Sequence, residues 1–208
     1  MSMQVINGIF YVVVLIMSVI IHEVAHGYSA HLLGDDTARL KGRLTLNPIK
    51  HLDLFGSIIL PLALILTSAG FVLGWAKPVP YNSANLRNGK FGDFIVAISG
   101  ITANLALAII FGLLIRFAPI LGIASIPFYQ IASIIVLTNL VLALFNIIPI
   151  PPLDGSKVLF SFLPSKFRYI ENFLERWGLL LLVLFIIFLW NMVSPLIFKI
   201  FSLLTGLY

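Results

Sequence analysis

The stretch VINGIFYVVVLIMSVIIHEVAHG, Val5 to Gly27, sets two imidazoles and a carboxylate at the end of an otherwise apolar run. The roughly 18 residues from Gln4 to His22 rise about 27 Å as a helix, against a hydrocarbon core of about 30 Å. Residues four apart are separated by about 400°, a net offset of about 40°, so His22 and His26 point the same way. Two imidazoles on one helical face can hold a zinc ion, which takes four ligands. Glu23 lies about 60° round the helix from His26, where it can take a proton from water at the metal without being a ligand. The plainer alternative is a polar seam satisfied by neighbouring helices. Ionisable groups at membrane depth are costly and usually functional, which favours the metal. His31 falls about 180° from His22 and is expected at the helix end near the surface.

Composition agrees with a bilayer setting. Of the 208 residues 60% are hydrophobic and only 10% charged, far from the mix of a soluble domain. The sequence contains no cysteine, so disulfide frameworks and thiolate metal sites are excluded, and any metal must be held by His, Asp or Glu. The formal charge of +5 is modest and its basic residues lie beside apolar segments. That reads as membrane orientation, with no nucleic-acid partner expected. Met1 to Gln4 carries no basic residue, so a removable signal peptide is not expected.

Five apolar segments are long enough to span: about Gln4 to Leu33, Leu54 to Trp75, Phe94 to Phe117, Phe128 to Ile148 and Leu179 to Leu204. Short polar connectors leave little room for a soluble domain, so residues 1–208 read as one membrane-embedded domain. Alternation from Arg39 to Leu46, followed by Asn47-Pro48, predicts a short strand or hairpin arm ending in a turn. A second chemical cluster runs from Asn146 to Gly155, NIIPIPPLDG. Its three prolines stop the fourth apolar helix and deliver a carboxylate at a fixed place. Glu23 and Asp154 alone among the acids adjoin apolar segments without neighbouring surface charges. A His22, His26 and Asp154 set leaves zinc one open position. The position of Asp154 also allows it to N-cap a helix starting near Ser156, the plainer alternative to the ligand role.

These motifs resemble the site-2 protease family of intramembrane zinc metalloproteases. His22-Glu23-Val24-Ala25-His26-Gly27 is similar to its HExxH helix, and Asn146 to Gly155 to its Asn-x-x-Pro-x-Pro-x-x-Asp-Gly block. Ser99-Gly100-Ile101-Thr102-Ala103-Asn104 resembles its Gly-Pro-x-x-Asn block, with Ile101 where proline is usual. Gly42 to Pro48 and Gly74 to Pro80 resemble the compact branch that lacks PDZ and CBS domains. The resemblance implies one zinc per chain held by His22, His26 and Asp154, Glu23 as general base, and Asn104 or Asn146 as a donor to the developing oxyanion. It implies transmembrane peptide or protein substrates, among them single-span helices and signal-peptide remnants. It also implies a multi-pass protein of a prokaryotic cell membrane. Two rivals remain: a non-catalytic membrane scaffold that keeps the fold, and a zinc-dependent membrane amide hydrolase. Asn139, seven residues before Asn146, is expected to serve as interhelical glue.

Five crossings would put His26 and Asp154 at opposite membrane faces. Basic residues flank the second segment on both sides, Arg39, Lys41, Arg43 and Lys50 before it and Lys77, Arg87 and Lys90 after it, so both flanks read as cytoplasmic. The expected fold is therefore an all-α polytopic helical bundle with a short β-hairpin or strand and a re-entrant or buried segment at Leu54 to Trp75. All basic residues except Arg116 and Lys199 then face the cytoplasm. The segments Arg39 to Leu46 and Gly74 to Asn82 read either as a gate or edge for an extended substrate, or as plain connectors. A Lys77→Cys variant should react with an impermeant thiol reagent from the cytoplasmic face. Labelling only from outside would sink the re-entrant arrangement.

Overall fold

In hydrocarbon each backbone amide and carbonyl must be satisfied within its own segment, which leaves a long apolar run little choice but the helix. The computed structural model describes residues 3–59, 63, 66 and 76–207. Among them the long helices are α1 (Met3–Leu32), α3 (Lys90–Phe117), α4 (Ile126–Asn146) and α6 (Arg168–Thr205), with the shorter α2 (Thr37–Leu40) and α5 (Asp154–Phe162) between them. Single 3-10 turns occupy Pro48–His51, Ser83–Asn85 and Ser165–Phe167. Four of the described stretches are long and apolar enough to cross a bilayer: Phe10–Leu32, Lys90–Phe117, Ile126–Asn146 and Ser165–Thr205. The fold is all-helical over the described residues, as the sequence predicts.

Helix α3 is the hub, packed against α1, α4, α5 and α6. Ala108, Ile115, Ala132, Val136, Leu140 and Ile197 form the apolar core where α3, α4 and α6 meet. Small residues let the backbones approach, as at Gly112, where an added Cβ would sit 2.9 Å from that of Leu204. Asn139 is fully buried and donates to Ser18 Oγ at 3.0 Å, so it ties α4 to α1 as interhelical glue. The 38 residues of α6 would rise about 57 Å, well beyond a hydrocarbon core of about 30 Å. The helix is thus longer than a crossing requires, and its charged residues Arg168, Glu171, Glu175 and Arg176 precede its apolar run.

The strand expected at Arg39 to Leu46 does not form. Arg39 and Leu40 complete α2, and the next amides turn back on it: Lys41 donates to Thr37 O, Gly42 to Arg39 O and Arg43 to Ala38 O. Gly42, at φ +62°, then reverses the chain. The amides of Lys41, Gly42 and Arg43 are thus taken up by α2 rather than offered to a ladder. The re-entrant or buried course expected for Leu54 to Trp75 lies mostly outside the described residues. Its described start is a π-helical turn, Leu54–Ile59, with Asp53 Oδ1 accepting from the amides of Phe55 and Gly56 at 3.1 and 2.7 Å. The flanks of that segment meet, because Lys77 N donates to His51 O at 2.9 Å.

From there residues 76–87 run as a strap across the end of α1. Arg43 Nη2 donates to Lys77 O at 2.6 Å and to Pro78 O at 3.3 Å, and Arg87 N donates to Leu33 O at 2.8 Å. Asp35, 0% exposed, bolts the middle, accepting from Asn82 N, Asn85 Nδ2 and Thr37 Oγ1 at 2.7, 2.9 and 2.6 Å. Burial works against its charge, but these hydrogen bonds prevail and hold the Asp35 carboxyl below the usual carboxylate range. A carboxyl lowered in the folded state stabilises above the unfolded-state pKa and loses that contribution as pH falls through the folded one. Asp35→Ala should therefore cost about 1–3 kcal/mol near neutral pH by orphaning buried donors. Thermal unfolding in detergent should show that difference closing below about pH 4.

Candidate metal centre

His22 and His26 lie on the buried side of α1, each 6% exposed, about 15 and 9 Å along the helix from its end at Leu32. The facing surface is α3 at Gly100. A Cβ there would stand 2.6 Å from both His22 Cε1 and His26 Nε2, so only a glycine leaves room for the two rings. Asp154 arrives from the other direction as the first residue of α5, where the helix N-terminus favours an anion. Leu153 is the residue before that helix and Asp154 makes no side-chain capping bond, so the carboxylate is free for other partners.

The three side chains meet closely. His22 Nε2 lies 2.8 Å from Asp154 Oδ2, His26 Nε2 lies 3.0 Å from the same oxygen, and the two Nε2 atoms are 3.0 Å apart. The far nitrogens are committed elsewhere. His22 Nδ1 lies 3.2 Å from Asn104 Oδ1, and His26 Nδ1 lies 2.6 Å from Val96 O. Both of those atoms accept, so each Nδ1 is the donor and each neutral ring turns a lone pair at Nε2 toward the centre. Two lone pairs and an ionised oxygen at such distances require a proton or a cation among them. A divalent cation satisfies all three at once, and two nitrogens with one oxygen form a donor set suited to zinc. Tetrahedral ligands at about 2.0–2.1 Å from zinc stand about 3.3 Å apart, a few tenths of an ångström wider than the atoms here.

Among the described residues, His22, His26 and Asp154 form the one cluster of potential ligand atoms. Glu23 is adjacent but engaged differently: its Oε2 accepts from Val79 N at 2.7 Å. Asn104 is 0% exposed and its Nδ2 has no partner. Asn146 is not brought to the cluster; its Nδ2 donates to Leu142 O on its own helix at 3.0 Å. His31 is half-buried beside Asp36, Nδ1 to Oδ1 2.6 Å, at the end of α1. Sequence reasoning missed the Val96 carbonyl, the Val79 amide and Lys157, whose Nζ lies 3.2 Å from Asp154 Oδ1. The first two are backbone groups that carry no residue-type signal. The i, i+3 spacing of Asp154 and Lys157 was the one available clue.

Comparison with known proteins agrees with this chemistry. Residues 118–189 match the model of peptidase family M50. The chain is 40% identical to the "Putative zinc metalloprotease YwhC" of Bacillus subtilis (strain 168), over 90% of this chain and 81% of that protein. It is 30% identical to the "Putative zinc metalloprotease Rip2" of Mycolicibacterium smegmatis, over 86% of this chain and 68% of that one. No solved structure matches significantly. The chain belongs to peptidase family M50: it is a zinc metalloprotease, built as a multi-pass membrane protein.

Gly100 offers a specific test of the cradle. Gly100→Ala should abolish stoichiometric zinc in the purified protein by pushing on both imidazoles. Gly8→Ala, where a Cβ meets nothing within 4 Å, should retain it; elemental analysis reads both.

Proposed function

We propose that the chain is an intramembrane metalloendopeptidase that cleaves single-span membrane proteins or signal-peptide remnants near the cytoplasmic side of the bilayer. The observation that carries the reading is the meeting of Asp154 Oδ2, from α5, with His22 Nε2 and His26 Nε2 within 3.0 Å, the two histidines standing on a helix apolar enough to span. One zinc per chain would be held by His22, His26 and Asp154, supplying a Lewis acid and an acidified water at neutral pH.

The remaining work falls to the chain's own groups. Glu23 takes the proton of the attacking water and returns it to the leaving amine. In this structure its Oε2 accepts from Val79 N, which keeps the carboxylate oriented beside the histidine pair. Asn104 accepts from His22 Nδ1 through Oδ1 and so fixes the tautomer of that ring. Its Nδ2 is buried without a partner and serves the oxygen of the tetrahedral intermediate only if the side chain leaves its place behind the His22 ring. Asn146, bonded to Leu142 O, contributes to that role only if its side chain turns away from its own helix.

The depth of the site favours a peptide drawn from the membrane. The histidines lie about 9–15 Å inside the end of an apolar helix, and a helical substrate must unwind locally to expose its scissile bond. Basic residues at the ends of α2 and around residues 76–90 support a cytoplasmic location for this end of the bundle. Glu23→Gln should retain zinc and lose roughly 10²–10⁴-fold in cleavage of a reconstituted single-span substrate. Asp154→Ala should lose the zinc as well. Unchanged cleavage by Glu23→Gln would overturn the reading.

A further inference from the structure

The two oxygens of Asp154 are divided between different partners. Oδ2 faces both histidines at 2.8 and 3.0 Å, while Oδ1 lies 3.2 Å from Lys157 Nζ. A carboxylate beside a metal binds through one oxygen or through both, and rotation about its Cβ–Cγ bond exchanges the two arrangements. In a four-coordinate zinc site with three protein ligands, a carboxylate that uses one oxygen leaves a fourth position and one that uses both fills it. We propose that Lys157 is a positioning residue that fixes Asp154 in one-oxygen ligation and thereby keeps a coordination position of the metal free. This rests on the reading of Asp154 as a ligand.

Three features make Lys157 able to do this. It stands three residues after Asp154 on α5, on the same helical face. Its ammonium also lies 5.8 Å from the centre of the Tyr81 ring, whose face attracts a cation, so the side chain is held from two sides. Among the described residues it is the one side-chain donor to Oδ1. A structural salt bridge is the competing explanation, but the lysine side chain is 44% exposed while Asp154 is at 8%. Ion pairs that open to solvent add little to folding. The pair is thus poorly placed to stabilise the fold and well placed to orient a buried carboxylate. Lys157 also lines an open cleft of about 380 Å³ between the starts of α3 and α6 and the body of α5, so a substitution there has room to be accommodated.

The test uses the full-length protein in detergent, loaded with cobalt(II) in place of zinc, and reads the metal's visible absorption together with zinc affinity by chelator competition. Lys157→Met should shift the cobalt bands and abolish their response to added azide, because the second oxygen of Asp154 then takes the fourth position of the ion. It should also lower zinc affinity about 10–100-fold, the usual effect of losing an outer-shell partner. Lys157→Arg should restore both. In cleavage assays the loss should appear in kcat more than in KM. If Lys157→Met does not fold, Lys157→Gln serves the same comparison. A neutral variant with the unsubstituted protein's spectrum and affinity would overturn the proposal. An Asp154→Ala spectrum that is also unchanged would show that the failure lies in the ligand set itself.

Discussion

Two imidazole nitrogens and a carboxylate oxygen cannot stay within 3.0 Å of one another in a water-poor setting unless positive charge lies among them. That electrostatic requirement organises the rest of the chain. Placing His22 and His26 on one face requires the unbroken helix α1, and seating them requires a glycine at position 100 of α3. Bringing Asp154 to the same point requires α4 to stop at Asn146 and the chain to turn through Ile147–Leu153 before α5 begins. Gly155 allows that turn, since a side chain there would collide with the Ile147 and Ile148 carbonyls.

The same requirement explains how the bundle is threaded. α1 ends, α3 begins and α4 ends at one face, and residues 33–51 and 76–87 are hydrogen-bonded to one another at that face. Residues 76–87 then serve two ends. Arg43 and Asp35 fasten them to the end of α1, and the Val79 amide meets the Glu23 carboxylate. Gly27 makes the approach possible, because a Cβ there would fall 2.7 Å from Val79 Cγ1 and 2.6 Å from Leu44 Cδ2. The glycine that follows the second histidine thus lets the strap lie close to the proposed base.

The helices and the meeting of His22, His26 and Asp154 were legible because they follow from spacing along α1 or from composition. His22 and His26 share a face at i and i+4, and Asp154 stood out as one of two acids set against apolar segments. The strand at Arg39 to Leu46 was misread because alternation reports which side chains could face a partner, not whether the amides are free. There α2 and the Gly42 turn consume those of Lys41 to Arg43, and Arg43 is drawn to carbonyls more than 30 residues away. The same limit applies to Asn104, whose Oδ1 lies beside His22 across 82 residues. It applies again to Asn146, which the motif put next to the metal while its side chain bonds its own helix. Contacts between distant backbone groups and side chains leave no periodicity to read.

X-ray absorption at the zinc edge of the detergent-purified protein tests the central claim most directly, because it reports the atoms around the metal. The account predicts one zinc per chain with two imidazole nitrogens and one carboxylate oxygen at about 2.0–2.2 Å, and a light fourth ligand. A spectrum without imidazole scattering, or with six oxygen neighbours, would contradict it.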